Sequence, residues 1–88
     1  MEQVADSIEQ QLHTFLLATF PLARKAHTDR DTRLIERGIL DSLGIVDVVG
    51  FIETAFDIHI DDEDLVAEHF QTIAAISHFV RDKQRQGR

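Results

Sequence analysis

The chain has no cysteine, which removes a disulfide framework, a thiolate nucleophile and any cysteine-based metal site in one step. No basic flank precedes an apolar run at the N-terminus, and no apolar stretch approaches the length of a membrane span. The expectation is therefore a soluble, cytoplasmic protein. There is no Gly-rich phosphate loop, internal repeat or low-complexity tract. No Gly-x-Ser-x-Gly turn surrounds Ser42, and 88 residues are too few for a serine hydrolase of that type. Basic charge is also scarce. A formal net charge of -7 argues against nucleic-acid binding, which needs a basic footprint to neutralise phosphates.

The distribution of charge says more than its sum. Nine carboxylates and no Lys or Arg lie between Asp41 and Phe70, whereas the remainder of the chain holds seven acids and nine bases. Acidity thus belongs to one region. With 43% apolar residues, the chain has enough to build one compact core, so residues 1–88 are expected to form a single domain.

Val4, Ile8, Leu12, Phe15 and Leu16 fall on one stripe of a helix over residues 3–19, and Pro21 stops it. Residues 22–37 are polar and mixed in charge, and read as a long loop pinned to the core by Leu34 and Ile35. A loop of that length in a compact domain is often functional. A second helix over residues 42–56 follows. At about 100° per residue, Phe51, Ala55, Val48, Ile52, Ile45, Phe56 and Val49 share its buried arc. Leu43, Val46, Asp47, Gly50, Glu53 and Thr54 share the opposite arc.

Ile58 and Ile60 alternate as in a strand, but no partner strand exists, so the stretch reads as a connection. Asp61 caps a short third helix over residues 62–68, with Asp62, Glu63 and Asp64 at its positive end. Thr72 caps a fourth, running to about Lys83 and fraying beyond Gln84, with Ile73, Ile76, Phe79 and Val80 on one stripe.

The chain is organised around residues 38–56. Asp41 and Ser42 are both N-cap residue types, placing a hydroxyl where backbone N–H groups lack partners and the helix dipole favours negative charge. A phosphate esterified there would be well placed.

The motif Asp41-Ser42-Leu43, with Gly44-Ile45-Val46-Asp47, Phe56-Asp57-Ile58-His59-Ile60-Asp61-Asp62-Glu63-Asp64 and Phe70-Gln71-Thr72-Ile73 downstream, resembles the acyl carrier protein family, including peptidyl and aminoacyl carriers. The likeness covers about residues 34–80. It implies an all-α, four-helix acyl-carrier-type bundle with a long loop between helices 1 and 2 and a short helix 3. It also implies that Ser42 carries a 4'-phosphopantetheine arm from coenzyme A, flanked by Asp41 and Leu43. The protein would not be an enzyme. It would hold an acyl or aminoacyl thioester for biosynthesis, as a monomer.

The implied partners are a phosphopantetheinyl transferase, a loading enzyme (an adenylating ligase or acyltransferase) and a downstream synthase or transferase. Ile39 and Leu40, where many fatty-acid carriers have Gly and a small residue, resemble free-standing D-alanyl, aminoacyl or secondary-metabolite carriers. Val46, Asp47, Gly50 and Glu53 are the expected partner-binding residues beside the arm. The opposing possibility is an acidic helical adaptor that binds a basic protein without a covalent arm.

Two further clusters invite metal readings. The run Asp61-Asp62-Glu63-Asp64 lacks the alternating ligands, central glycine and distal Glu of a calcium loop, and a solvated helix start explains it. His13, His27, His59, His69 and His78 show no paired ligand spacing and are expected at the surface, so no metal site is assigned.

Overall fold

The computed structural model describes the backbone of residues 4–86 and side chains from Ile8 to Gln86. Four α-helices and two single 3-10 turns make up its regular structure, and the described residues contain no strand. The helices are α1 (Val4–Thr19), α2 (Pro21–Lys25), α3 (Ser42–Phe56) and α4 (Ile73–Gln86). The 3-10 turns span Asp62–Asp64 and Ala67–His69. The architecture is a small all-α bundle.

α1 follows its pattern, with Ile8, Leu12 and Leu16 buried four residues apart. The side chain of Val4, also placed on that stripe, lies outside the described residues. Pro21 ends α1 as expected, and it also starts a helix. Phe20 is extended and Pro21 takes the first helical position of α2, where a missing N–H costs nothing and a fixed φ is already helical. The long loop is therefore shorter than the sequence suggested, because residues 21–25 are helical.

The rest of the loop is tied down along its length. Thr28 is buried, its hydroxyl donating to the Ala23 carbonyl at 2.8 Å. His13 Nε2–H donates to the Thr28 carbonyl at 2.8 Å. Arg30 holds Glu9 of α1 through two bonds of 3.0 and 2.8 Å, and this guanidinium keeps the Glu9 carboxyl below its ordinary value. Leu34 is fully buried and donates its N–H to the Gln71 carbonyl at 2.7 Å. The expected pin is therefore present, with Leu34 buried and Ile35 packed partly against the core.

α3 has the expected bounds. Val48 and Ile52 are buried, and Ile45, Val49, Phe51 and Phe56 are partly buried against the core. Ala55 departs from its phase and is exposed, because a methyl in the last turn of a helix needs something packed over it as well as the right angle. Phe15, Phe51 and Phe56 were expected to be largely buried, and they are only partly so. Their rings form a rim joining α1 to α3. Phe15 stacks on Phe51 with centroids 4.3 Å apart, and Phe51 meets Phe56 edge-on at 6.1 Å. The fully buried aromatic is Phe70, which the stripes did not single out.

A continuous third helix over residues 62–68 is absent. The chain breaks at Leu65 and Val66 into two 3-10 turns without a buried residue. The stretch has no apolar stripe to bury, and a one-turn helix without packing does not offset its nucleation. Asp61 is at the N-cap, and Asp64 accepts its N–H at 3.0 Å. Lys83 of α4 then binds Asp64 at 2.8 Å, with both side chains largely shielded. His69 is partly buried rather than superficial. Its ring stacks on Phe79 at 4.4 Å and Nδ1–H donates to the Asp64 carbonyl at 2.9 Å.

Thr72 caps α4, its hydroxyl accepting the Ala75 N–H at 3.0 Å. α4 continues to Gln86, three residues past Lys83. Gly87 and Arg88 lie outside the described residues.

Two predictions follow from this packing. Phe70→Ala costs about 3–5 kcal/mol, the range for a fully buried aromatic, while Phe51→Ala costs less because its ring is partly in water; urea unfolding of both variants checks the order. The second concerns the Asp64–Lys83 pair. Hydrogen bonding to Lys83 lowers the Asp64 pKa, and the same bond raises that of Lys83. The stabilisation from Asp64 is present above the unfolded value near 3.9 and lost as pH falls through the lower folded value. That from Lys83 is present below about 10.4 and lost as pH rises through the higher folded value. Wild type is therefore more stable than Lys83→Met at neutral pH, and the gap closes at both extremes in urea titrations.

Candidate functional site

Asp41 and Ser42 have different roles at the start of α3. Asp41 is the N-cap, with φ -117° and ψ -169°. Its Oδ1 accepts the Gly44 N–H at 2.8 Å, and its carbonyl accepts the Ile45 N–H at 2.9 Å. Ser42 occupies the first helical position and is exposed. Its hydroxyl has no hydrogen-bonding partner among the described residues, nor do the N–H groups of Ser42 and Leu43.

The loop delivers this corner. The Leu34 carbonyl accepts the N–H groups of Ile39 and Leu40 at 2.9 and 3.0 Å, closing a tight reversal. Gly38 makes the reversal with φ +75°, a left-handed conformation that glycine adopts without penalty. Ile39 and Leu40 then turn inward, 5% and 1% exposed. The sequence had offered these two residues only as a mark of carrier type, and the apolar pair directly before the polar Asp41 and Ser42 was the missed signal. Two buried side chains followed by a capped helix start place the serine outward.

The other expected site residues separate into two groups. Leu43 and Val46 are the most exposed large apolar side chains of α3, at 77% and 62%. Asp47 and Gly50 are exposed beside them. Glu53 is different. Its Oε2 accepts the Ile60 N–H at 2.9 Å and lies 3.7 Å from His59 Nδ1. That carboxylate holds the turn after α3 in place, so the acidic face beside Ser42 is narrower than the helical arc suggested. His59 also approaches Asp61 at 3.0 Å.

The described residues contain no group of three His, Asp or Glu side chains arranged to hold a metal ion. No described helix is long and apolar enough to cross a membrane.

The donor set at Ser42 fits a phosphodiester. An unengaged hydroxyl stands next to two unpaired first-turn amides, at the positive end of a helix of 15 residues. A phosphoryl oxygen on Ser42 Oγ would meet N–H donors and a favourable dipole without any lysine or arginine. Neither protein-family models nor curated proteins give a match to this sequence.

The division of labour at the corner is testable by stability alone. Asp41→Ala removes the cap and costs about 0.5–2 kcal/mol. Ser42→Ala leaves the urea midpoint close to that of the wild type, since alanine is as good a helix former and no hydrogen bond is lost.

Proposed function

We propose that the protein is a free-standing carrier that holds an acyl or aminoacyl group as a thioester on a 4'-phosphopantetheine arm attached to Ser42. The single observation that carries this reading is the exposed, unpaired Ser42 hydroxyl beside two unpaired amides on a helix start that Asp41 already caps. The likeness to acyl carriers in residues 34–80 supports it, as does the all-α bundle.

The chemistry asked of the chain is small. A separate phosphopantetheinyl transferase, with its own magnesium ion, binds coenzyme A and activates the serine. Ser42 Oγ forms the new P–O bond and gives up its proton, the pyrophosphate P–O bond breaks, and the adenosine bisphosphate leaves. The carrier contributes an accessible oxygen and amides that favour the resulting phosphodiester. An adenylating ligase or acyltransferase then loads the arm's thiol, and a synthase or transferase removes the cargo. The carrier is not itself an enzyme in this scheme, and its place of action is the cytoplasm.

Docking must be brief for a carrier serving several enzymes, which favours a small apolar contact with steering charge over a large apolar patch. Leu43 and Val46 supply the apolar contact, Gly50 leaves room beside it, and Asp47 supplies charge. The alternative is an acidic adaptor without an arm, for which the exposed Leu43 and Val46 beside Asp47 would serve equally as a protein contact.

Incubation with coenzyme A, magnesium and a broad-specificity phosphopantetheinyl transferase separates the two. The intact mass rises by one phosphopantetheine in the wild type and is unchanged in Ser42→Ala. A wild type that gains no mass favours the adaptor. Asp47→Lys and Val46→Asp slow loading of the arm with little effect on thermal stability. The wild-type loading rate falls as added salt shortens the screening length below about 8 Å. Wild-type rates in both variants, without salt dependence, would remove α3 as the docking face.

A further inference from the structure

Gly44 stands in the first turn of α3, two residues after Ser42, and is the one buried residue of that turn. Its backbone is helical, so it is not there for conformational freedom, and helix propensity alone would favour alanine. Space explains it. A Cβ at Gly44 would lie 3.2 Å from Leu40 Cδ2, 3.2 Å from Phe20 Cε1 and 3.4 Å from Asp41 Oδ1.

The two carbon neighbours have little freedom to retreat, while the Asp41 distance is ordinary contact. Leu40 is 1% exposed. Phe20 is wedged edge-on against Phe15 at 6.2 Å, at the junction of α1 and α2. Asp41 Oδ1 is the cap oxygen bonded to the Gly44 N–H at 2.8 Å.

We infer that Gly44 is a positioning residue for modification of Ser42: the missing side chain lets the first turn of α3 seat against Phe20 and Leu40, which fixes where the Ser42 hydroxyl stands. This rests on Ser42 being the attachment site. A methyl group at residue 44 lifts the turn off Phe20 and Leu40, whose carbons it would meet at 3.2 Å. Ser42 moves with the turn, while the docking residues Val46 and Asp47, further along the helix, keep their exposure. The transferase still binds, but relieving these contacts moves the oxygen by a few tenths of an ångström relative to the reacting phosphorus; since a misplacement of about 1 Å can lower such rates about a hundredfold, the smaller shift lowers this one severalfold.

The test measures transfer of phosphopantetheine from coenzyme A to wild type, Gly44→Ala, Phe20→Leu and the Gly44→Ala/Phe20→Leu double variant. Each fold is checked by circular dichroism and melting. Leucine at residue 20 has no atom beyond Cδ, so it vacates the space that Phe20 Cε1 occupies. The expected result is a folded Gly44→Ala whose kcat falls about threefold or more with KM changed by less than about twofold. Phe20→Leu alone should load normally, and the double variant, which relieves one of the two 3.2 Å contacts, should recover part of the kcat.

Gly44→Ala loading at the wild-type rate overturns the inference, as does a loss confined to KM. A double variant no faster than Gly44→Ala, while Phe20→Leu is normal, does so too. If Gly44→Ala does not fold, the double variant decides in its place. Loss of fold in both makes Gly44 a folding residue only. A wild type that takes no arm overturns the assignment of Ser42, and this inference with it.

Discussion

Burial of Leu34 is the constraint on which the rest of the structure depends. It sits in a stretch of polar sequence and is fully shielded. Its backbone serves three partners, Gln71 through the N–H and Ile39 and Leu40 through the carbonyl. A backbone buried with its side chain must have its polar groups satisfied, and here that requirement draws three segments to one point. The residues before α4, the reversal at Gly38 and the approach to α3 all end at Leu34. With the entry to α3 so fixed, the outward placement of Ser42 follows from chain geometry. Two ion pairs add to the packing, Arg30 with Glu9 between the loop and α1, and Lys83 with Asp64 between α4 and the first 3-10 turn.

The acidic region divides by what its carboxylates do. Glu53 and Asp64 accept backbone N–H groups from the segments that follow α3, and Asp41 does the same for α3 itself. These charges are spent on local structure. Of the two acids in α3, only Asp47 keeps its carboxylate free of a partner among the described residues. Composition therefore overstates the charge offered to a partner on this helix. Exposed charge that is held in internal bonds still contributes to the long-range field, but the local contact beside Leu43 and Val46 has one acid rather than two.

What the sequence revealed depended on periodicity. α1, α3 and α4 each carry a strong apolar stripe, and their existence and phase were legible from Leu12 and Leu16, Val48 and Ile52, and Ile76 and Val80. Elements without a stripe were not. α2 depends on the fixed φ of Pro21, which also ends α1, and one residue with two opposite local consequences does not announce the second. The run from Asp62 to His69 has capping chemistry but nothing to bury, and capping alone does not extend a helix past one turn. Ile39, Leu40, Ile60 and Phe70 are buried singly or in pairs outside any helix, where no period exists to expose them. Gly44 was invisible for a related reason, because an empty volume is a property of its neighbours Phe20 and Leu40 rather than of its own residue type.

At the candidate site, the sequence left open which of two adjacent residues would cap α3. Had Ser42 been the cap, its hydroxyl would have accepted a first-turn N–H, and any group esterified to that oxygen would have disturbed the bond holding the helix start together. With the cap on Asp41, the bond to Gly44 lies on the buried side of the turn and the Ser42 oxygen stands outside it. A group added to the Ser42 oxygen would then leave the bonds that hold α3 intact, since that oxygen has no protein partner among the described residues. The same arrangement leaves the Ser42 and Leu43 amides unpaired, so the helix start retains donors that a phosphoryl group could use. A serine that caps its own helix would have to give up one function to take on the other; a serine one residue past its cap does not.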